Sequence, residues 1–141
     1  MLKITSIIIA EDDSDDRLLI EDALNENNIP SEKLIFVSDG EELMDRLKDK
    51  ANQPAMVFLD LNMPKKDGRQ ALKEIKQDEK LKHIPIIVFS TSSSEEDIRT
   101  SYKNGVNTYF TKPSKYSDML EIIAAVKAYW WEKAAIVNVN G

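Results

Sequence analysis

"VFLDLNMPKKDGRQAL", residues 57–72, runs three apolar residues into an aspartate, then into a lysine-rich turn and a helix pattern. Val57, Phe58 and Leu59 show no polar alternation, the mark of a strand covered on both faces of a parallel sheet. Asp60 stands where that strand would end. After Asp67 and Gly68 the pattern turns helical, placing Ala71, Leu72 and Ile75 on one stripe. Strand, turn and helix in that order make a βα unit, and the same order recurs along the chain.

Apolar runs at 6–10 ("SIIIA"), 33–37 ("KLIFV"), 55–60 ("AMVFLD"), 85–90 ("PIIVFS") and 108–112 ("TYFTK") read as strands. The middle three are nearly continuous in apolar residues and are expected to be covered on both faces. The fifth is shorter and more polar, which predicts an edge strand. Helix patterns alternate with them. The segment 15–27 follows Ser14 with acids in its first turn, suiting the helix dipole. "SDGEELMDRLKDK" opens with Ser38 and Glu41 at capping-box spacing. Segment 67–78 is the third helix, and "SEEDIRTSYKNG" puts Ser94 and Asp97 in cap-like places and stops at Gly105. The fifth, 117–131, directs Met119, Leu120, Ile123 and Val126 toward a core. Five βα units with right-handed crossovers predict the α/β class, a doubly wound five-stranded parallel sheet.

Composition bounds the function. With 141 residues the chain is one domain by size, and a net charge of −6 argues against a nucleic-acid or anionic-membrane surface as main partner. The absence of cysteine excludes disulfides, thiolate metal sites and Cys nucleophiles, and the single histidine, His83, cannot build a His-based metal site. No apolar run approaches the roughly 18 residues of a spanning helix, and "MLKITSIII" lacks the pattern of a signal peptide. The expected location is cytoplasmic.

In a sheet of this kind chemistry sits outside the C-terminal ends of the strands. Those ends carry Glu11, Asp12 and Asp13, then Asp60, Ser90 and Lys112. Each is ordinary alone: an Asp after an apolar strand is commonly a turn former, and an acidic run before a helix is commonly a cap. Together they call for one account. Carboxylates from two strand ends repel unless a cation joins them, and carboxylate, carbonyl and water oxygens are the ligand set of Mg²⁺. Lys112 adds a positive charge able to grip Asp60 or a phosphoryl group placed on it. That combination suits phosphoryl transfer with Asp60 as nucleophile, and Ser90 can donate to a new phosphoryl oxygen.

The chain resembles the receiver domain of bacterial two-component response regulators from about Ile4 to Trp130. "AEDDSDDRLLI" carries the family's acidic pair as Glu11 and Asp12, with Arg17 five residues on. "FLDLNMPKKDG" matches the phosphoacceptor motif, with Asp60 and Gly68 in place. "VFSTS" puts Ser90 thirty residues after Asp60 as the switch hydroxyl, and "YFTKP" supplies Tyr109, Lys112 and Pro113. The resemblance implies the flavodoxin-like (βα)5 receiver fold and a signalling protein, not an enzyme. It implies Mg²⁺ held by Asp12, Asp60 and the Asn62 backbone carbonyl, with Glu11 acting through water. It also implies a cis Lys112–Pro113 bond and a switch in which Ser90 moves to the phosphoryl group and Tyr109 rotates behind it. More narrowly, "KQDEKLKHIP" and "STS" are similar to stand-alone regulators paired with phytochrome-type histidine kinases.

Asp13 extends the acidic pair and is expected to cap the first helix. Thr91 narrows the approach to the phosphoryl group, and Asn62 and Ser92 stand where the family tunes its loss. The receiver is expected over 1–131, with a tail at 132–141 too short for an output module. Output is therefore expected through contact with a downstream protein or a phosphotransfer protein. Tyr129, Trp130 and Trp131, followed by Ala134, Ala135, Ile136 and Val137, cannot all face one core, which suggests a homodimer through this region. Rival readings are a phosphorelay intermediate, a receiver degenerate to a scaffold, a nucleotide or flavin site, and an aspartate-nucleophile phosphatase. The retained acids, Ser90 and Lys112 oppose the scaffold, and no glycine-rich loop supports the nucleotide. The phosphatase wants a second Asp two residues after the nucleophile, where Asn62 stands.

Overall fold

The computed structural model describes residues 6–136. Val137, the last apolar residue of the predicted aromatic tail patch, lies outside them, as does Ile4. Five strands are present: β1 (Ile7–Ala10), β2 (Leu34–Val37), β3 (Met56–Leu59), β4 (Ile86–Ser90) and β5 (Thr108–Thr111). They form one parallel sheet in the order β2-β1-β3-β4-β5. Five helices alternate with them: α1 (Ser14–Glu26), α2 (Gly40–Leu47), α3 (Gly68–Gln77), α4 (Glu95–Lys103) and α5 (Tyr116–Val126).

The sheet splits the core in two with the period of the pleat. Ile8, Ala10, Val57, Leu59, Ile86 and Val88 face one side, against Leu43, Leu47, Leu72 and Ile75 of α2 and α3. Their neighbours Ile7, Ile9, Met56, Phe58, Ile87 and Phe89 face the other, against Ile20 and Leu24 of α1 and Ile123 and Val126 of α5. Every residue of β1, β3 and β4 is buried.

One expectation changes here. The covered strands are β1, β3 and β4, whereas β2 is an edge whose Leu34, Ile35 and Phe36 are half-buried. Its apolar content is used differently: the Arg17 guanidinium lies 5.6 Å from the centroid of Phe36 and shields that ring from water. The opposite edge is β5, as expected. There the Tyr109 backbone N–H donates to the Tyr102 hydroxyl of α4 at 3.1 Å. Helix α4 packs shallowly, with Ser101 its one buried residue.

Caps account for the helix starts. Asp13 accepts from the backbone of Asp15 and Asp16, so Ser14 is already the first helical residue of α1. For α2 the cap is Asp39, one residue later than the Ser38 and Glu41 pairing predicted, and Glu42 reaches back to the Ser38 N–H at 3.0 Å. The shift follows from Asp39 being extended while Gly40 enters the helix. Ser94 caps α4, and Gly105 ends it at φ 94°, a conformation that favours glycine.

Helix α5 ends earlier than predicted, at Val126, and the chain continues as a π-helical segment, Lys127–Lys133. The wider turn puts Trp131 below Val126, buried and edge-on to Phe58 at 6.4 Å between ring centroids. Trp131 is thus a core residue and not part of a surface patch. Tyr129 remains 61% exposed, edge-on to the half-buried Trp130 at 5.2 Å. Leu120, expected in the core, is half-buried.

Candidate functional site

The strand ends converge on a cleft of about 460 Å³ lined by Glu11, Asp12, Asp13, Asp15, Asp16, Asp60, Asn62, Thr91 and Lys112. Its principal members sit one residue past their strands yet remain on the sheet's hydrogen-bond ladder. Glu11 N donates to Val37 O at 3.0 Å, Asp60 N to Ala10 O at 3.0 Å, and Lys112 N to Ser90 O at 2.8 Å. The β-prone runs of the sequence therefore mount these side chains rigidly.

Gly68 closes the site from below. A Cβ there would lie 2.1 Å from the Asp60 carbonyl oxygen, so the start of α3 can reach the strand-end loop only as glycine. The Gly68 N–H instead donates to Leu61 O at 2.8 Å. Arg17 ties the other rim, donating to Glu11 O and to the Ser38 hydroxyl, each at 2.6 Å.

Glu11 and Asp60 are buried at 2% and 6% exposure, while Asp12 is exposed. One carboxylate oxygen from each of Glu11, Asp12 and Asp60 falls within 4.8 Å of the others. Burial pushes Glu11 up to about 7, with the neighbouring Asp60 charge adding to the shift and Lys112 opposing it. Three converging hard-oxygen donors, two of them buried, suit a hard divalent cation. The Asn62 side-chain oxygen accepts from Arg69 at 3.3 Å, and its backbone N–H donates to Asp60 Oδ1 at 3.2 Å.

Lys112 is the cation the side chains supply. Its Nζ lies 2.5 Å from Glu11 Oε1, 2.8 Å from Asp16 Oδ2 and 3.5 Å from Asp60 Oδ2. Although burial works against its charge, the hydrogen bonds it donates to Asp16 and Glu11 prevail and hold its pKa above the usual lysine value. The implied cis Lys112–Pro113 bond is not found; no peptide bond among the described residues is cis. Trans is the intrinsically favoured isomer by about 0.5–1 kcal/mol, and in it Lys112 already completes both its ladder bond and its ion pairs.

Ser90 is fully buried, and its hydroxyl accepts from the Ser92 N–H at 3.1 Å. Tyr109 packs half-buried against the core and donates its hydroxyl to Ser92 O at 2.8 Å. The Ser92 hydroxyl in turn donates to Asp97 at 2.6 Å. Glu11, Asp12, Asp60, Asn62 and Lys112 are thus brought to one cleft, with Ser90 and Tyr109 joined behind it through Ser92. Sequence reading missed three participants: Asp16, which holds Lys112, and the Arg69–Asp97 pair, which braces the rim. The only signal for Asp16 was its place in an acidic helix start, which dipole compensation already explains.

A five-stranded parallel sheet presenting an acidic cleft with a buried aspartate beside a lysine defines a class of α/β signalling domains. The family model for the response regulator receiver domain matches residues 7–124, and the chain belongs to that family. Among curated relatives, the response regulator Rcp1 of Synechocystis sp. is 36% identical over 135 residues, covering 92% of this chain and 91% of the relative. Among solved structures, the phosphorylated cyanobacterial phytochrome response regulator RcpA superposes with a TM-score of 0.88 at 38% identity, covering 96% of this chain and 100% of that one. The Mn²⁺-bound form of Rcp1 superposes with a TM-score of 0.85 at 34% identity, covering 95% of this chain and 99% of that one. No helix among the described residues is long and apolar enough to cross a membrane.

Proposed function

We propose that this regulator accepts a phosphoryl group on Asp60 from a phytochrome-type sensor histidine kinase and passes the signal on by protein contact. The observation that carries the reading is the placing of Asp60: 6% exposed, within 4.8 Å of Glu11 and Asp12 oxygens, and 3.5 Å from the Lys112 ammonium. A carboxylate oxygen of Asp60 bonds to phosphorus as the donor's P–N bond breaks, and the donor imidazole nitrogen keeps the electron pair. Asp12, Asp60 and the Asn62 carbonyl would hold Mg²⁺, with Glu11 acting through water. The chemistry Mg²⁺ supplies when bound is neutralisation of charge on the phosphoryl oxygens. The kinase class is supported by the resemblance to RcpA, which is itself described as phosphorylated, and to Rcp1.

Lys112 grips the new phosphoryl group, and Ser90 turns its hydroxyl from the Ser92 N–H toward it. That movement loosens the loop to which Tyr109 is bonded, repacking the face formed by α4, β5 and α5. The shallow packing of α4, whose one buried residue is Ser101, supports this assignment. The receiver unit spans 1–131 and acts in the cytoplasm; its output goes to a downstream protein or a phosphotransfer protein. Self-association uses Tyr129 and Trp130.

The test is incubation with Mg²⁺ and acetyl phosphate followed by intact mass. One phosphoryl adduct per chain, absent in Asp60→Ala and after chelation, is expected. An adduct that survives Asp60→Ala defeats the reading, and rapid turnover of phosphate esters would favour a phosphatase.

A further inference from the structure

Lys112 is shared unequally among three carboxylates. An ammonium has three protons to donate, and here the two short contacts go to Glu11 and Asp16, at 2.5 and 2.8 Å. Asp60, at 3.5 Å, is left with an ion pair and no hydrogen bond from it. Glu11 is fixed at the end of β1. Asp16 comes from the first turn of α1, where capping by Asp13 turns it into the cleft, and its side chain is 33% exposed. Its neighbour Asp15 is exposed in the same turn and has no ion pair among the described residues.

We propose that Asp16 is a positioning residue for phosphoryl acceptance: it draws the Lys112 ammonium away from Asp60, and the incoming phosphoryl group must take that ammonium from it. The inference rests on Asp60 being the acceptor. When acetyl phosphate is the donor, an Asp60 oxygen bonds to phosphorus, the bond from phosphorus to the acetyl oxygen breaks, and acetate leaves with the electron pair. The product carries about two negative charges on three acceptor oxygens, which outcompete the single carboxylate of Asp16 for Lys112. The competition is felt in the approach to the transition state, because the ammonium is needed where charge is being gathered. Release of Asp16 also frees a carboxylate at the start of α1, so acceptance reaches that helix as well as the Tyr109 face.

The test follows labelling of the full chain by acetyl phosphate with Mg²⁺ for wild type, Asp16→Asn, Asp16→Glu and Asp15→Asn. Asp16→Asn should raise the maximal labelling rate about fivefold, the order of a part-exposed ion pair, and lengthen the life of the adduct. Asp15→Asn removes the same charge from the same turn and should stay within about twofold of wild type, the scale of a screened charge. Asp16→Glu, which keeps a carboxylate within reach, should return the rate toward wild type. A change confined to the acetyl phosphate KM would mark a general charge effect and overturn the proposal. So would a rate for Asp16→Asn equal to that of Asp15→Asn, or slower. Failure of wild type to label at Asp60 would sink the acceptor reading itself, and the inference with it.

Discussion

Arg69 and Asp97 meet at two points, Nε to Oδ1 at 2.8 Å and Nη2 to Oδ2 at 2.9 Å, joining the start of α3 to α4. The pair does more than link two helices. Arg69 also reaches Asn62 at the cleft rim, and Asp97 accepts from the Ser92 hydroxyl behind Ser90. The turn that follows Asp60 and the loop that follows Ser90 are braced by one fork.

This bracing depends on pH in a stated direction. The Arg69 guanidinium, with the Ser92 hydroxyl assisting, holds Asp97 well below the usual carboxylate range. A depressed folded-state pKa contributes stability above the unfolded value of about 3.9, and loses it as pH falls through the folded value. Asp97→Asn should therefore lower Tm at pH 7, and the gap from wild type should narrow progressively as pH falls below about 4. Thermal unfolding across that range is the measurement; a constant gap would show the pair contributes through packing alone.

Gly68→Ala tests the close approach beneath Asp60. The added methyl would meet the Asp60 carbonyl oxygen at 2.1 Å, and overpacking of that kind costs about 1–3 kcal/mol. Urea unfolding should show the loss, and acetyl phosphate labelling should slow even where the variant remains folded, since the displaced atoms carry the acceptor.

The aromatic triplet divides into core and surface. Trp131→Ala should destabilise by about 3–5 kcal/mol, as removal of a buried ring does. Tyr129→Ser should alter stability by no more than about 0.5 kcal/mol, yet shift sedimentation from dimer toward monomer. A wild-type protein that sediments as a monomer would remove the dimer and leave the Trp131 result intact.

Divalent binding should follow the carboxylates unequally. Titration calorimetry with Mg²⁺ is expected to lose its signal in Asp60→Asn and weaken at least about tenfold in Asp12→Asn, as loss of a direct ligand should. Asp13→Asn should bind as wild type does, because Asp13 is committed to the backbone of Asp15 and Asp16.

Much of this was written in the sequence because strand ends and chemistry coincide. Apolar runs at 55–60 and 85–90 located Asp60 and Ser90, and the βα order carried them to one crevice. Lateral order was less legible: "KLIFV" is as apolar as a central strand, but its outer face is covered by Arg17, a residue distant in sequence. Asp16 was hidden by its surroundings, one acid among five between Glu11 and Asp16, most of which cap or face water. Which of Tyr129, Trp130 and Trp131 the core takes was not legible, because an α-helical pattern was carried to Trp131 whereas the backbone beyond Val126 is π-helical. Local patterns report which residues are covered; they do not report what covers them.

The hydroxyl of Tyr102 on the Tyr109 N–H has a consequence for assembly. An edge strand such as β5 offers bare backbone donors to any extended chain, and that offer is how sheets grow between molecules. Here one donor is stoppered by the helix that Asp97 and Ser92 also hold. Loosening α4 would unseal a sheet margin, so the displacement proposed for the α4, β5 and α5 face would also decide whether a neighbouring strand can be added.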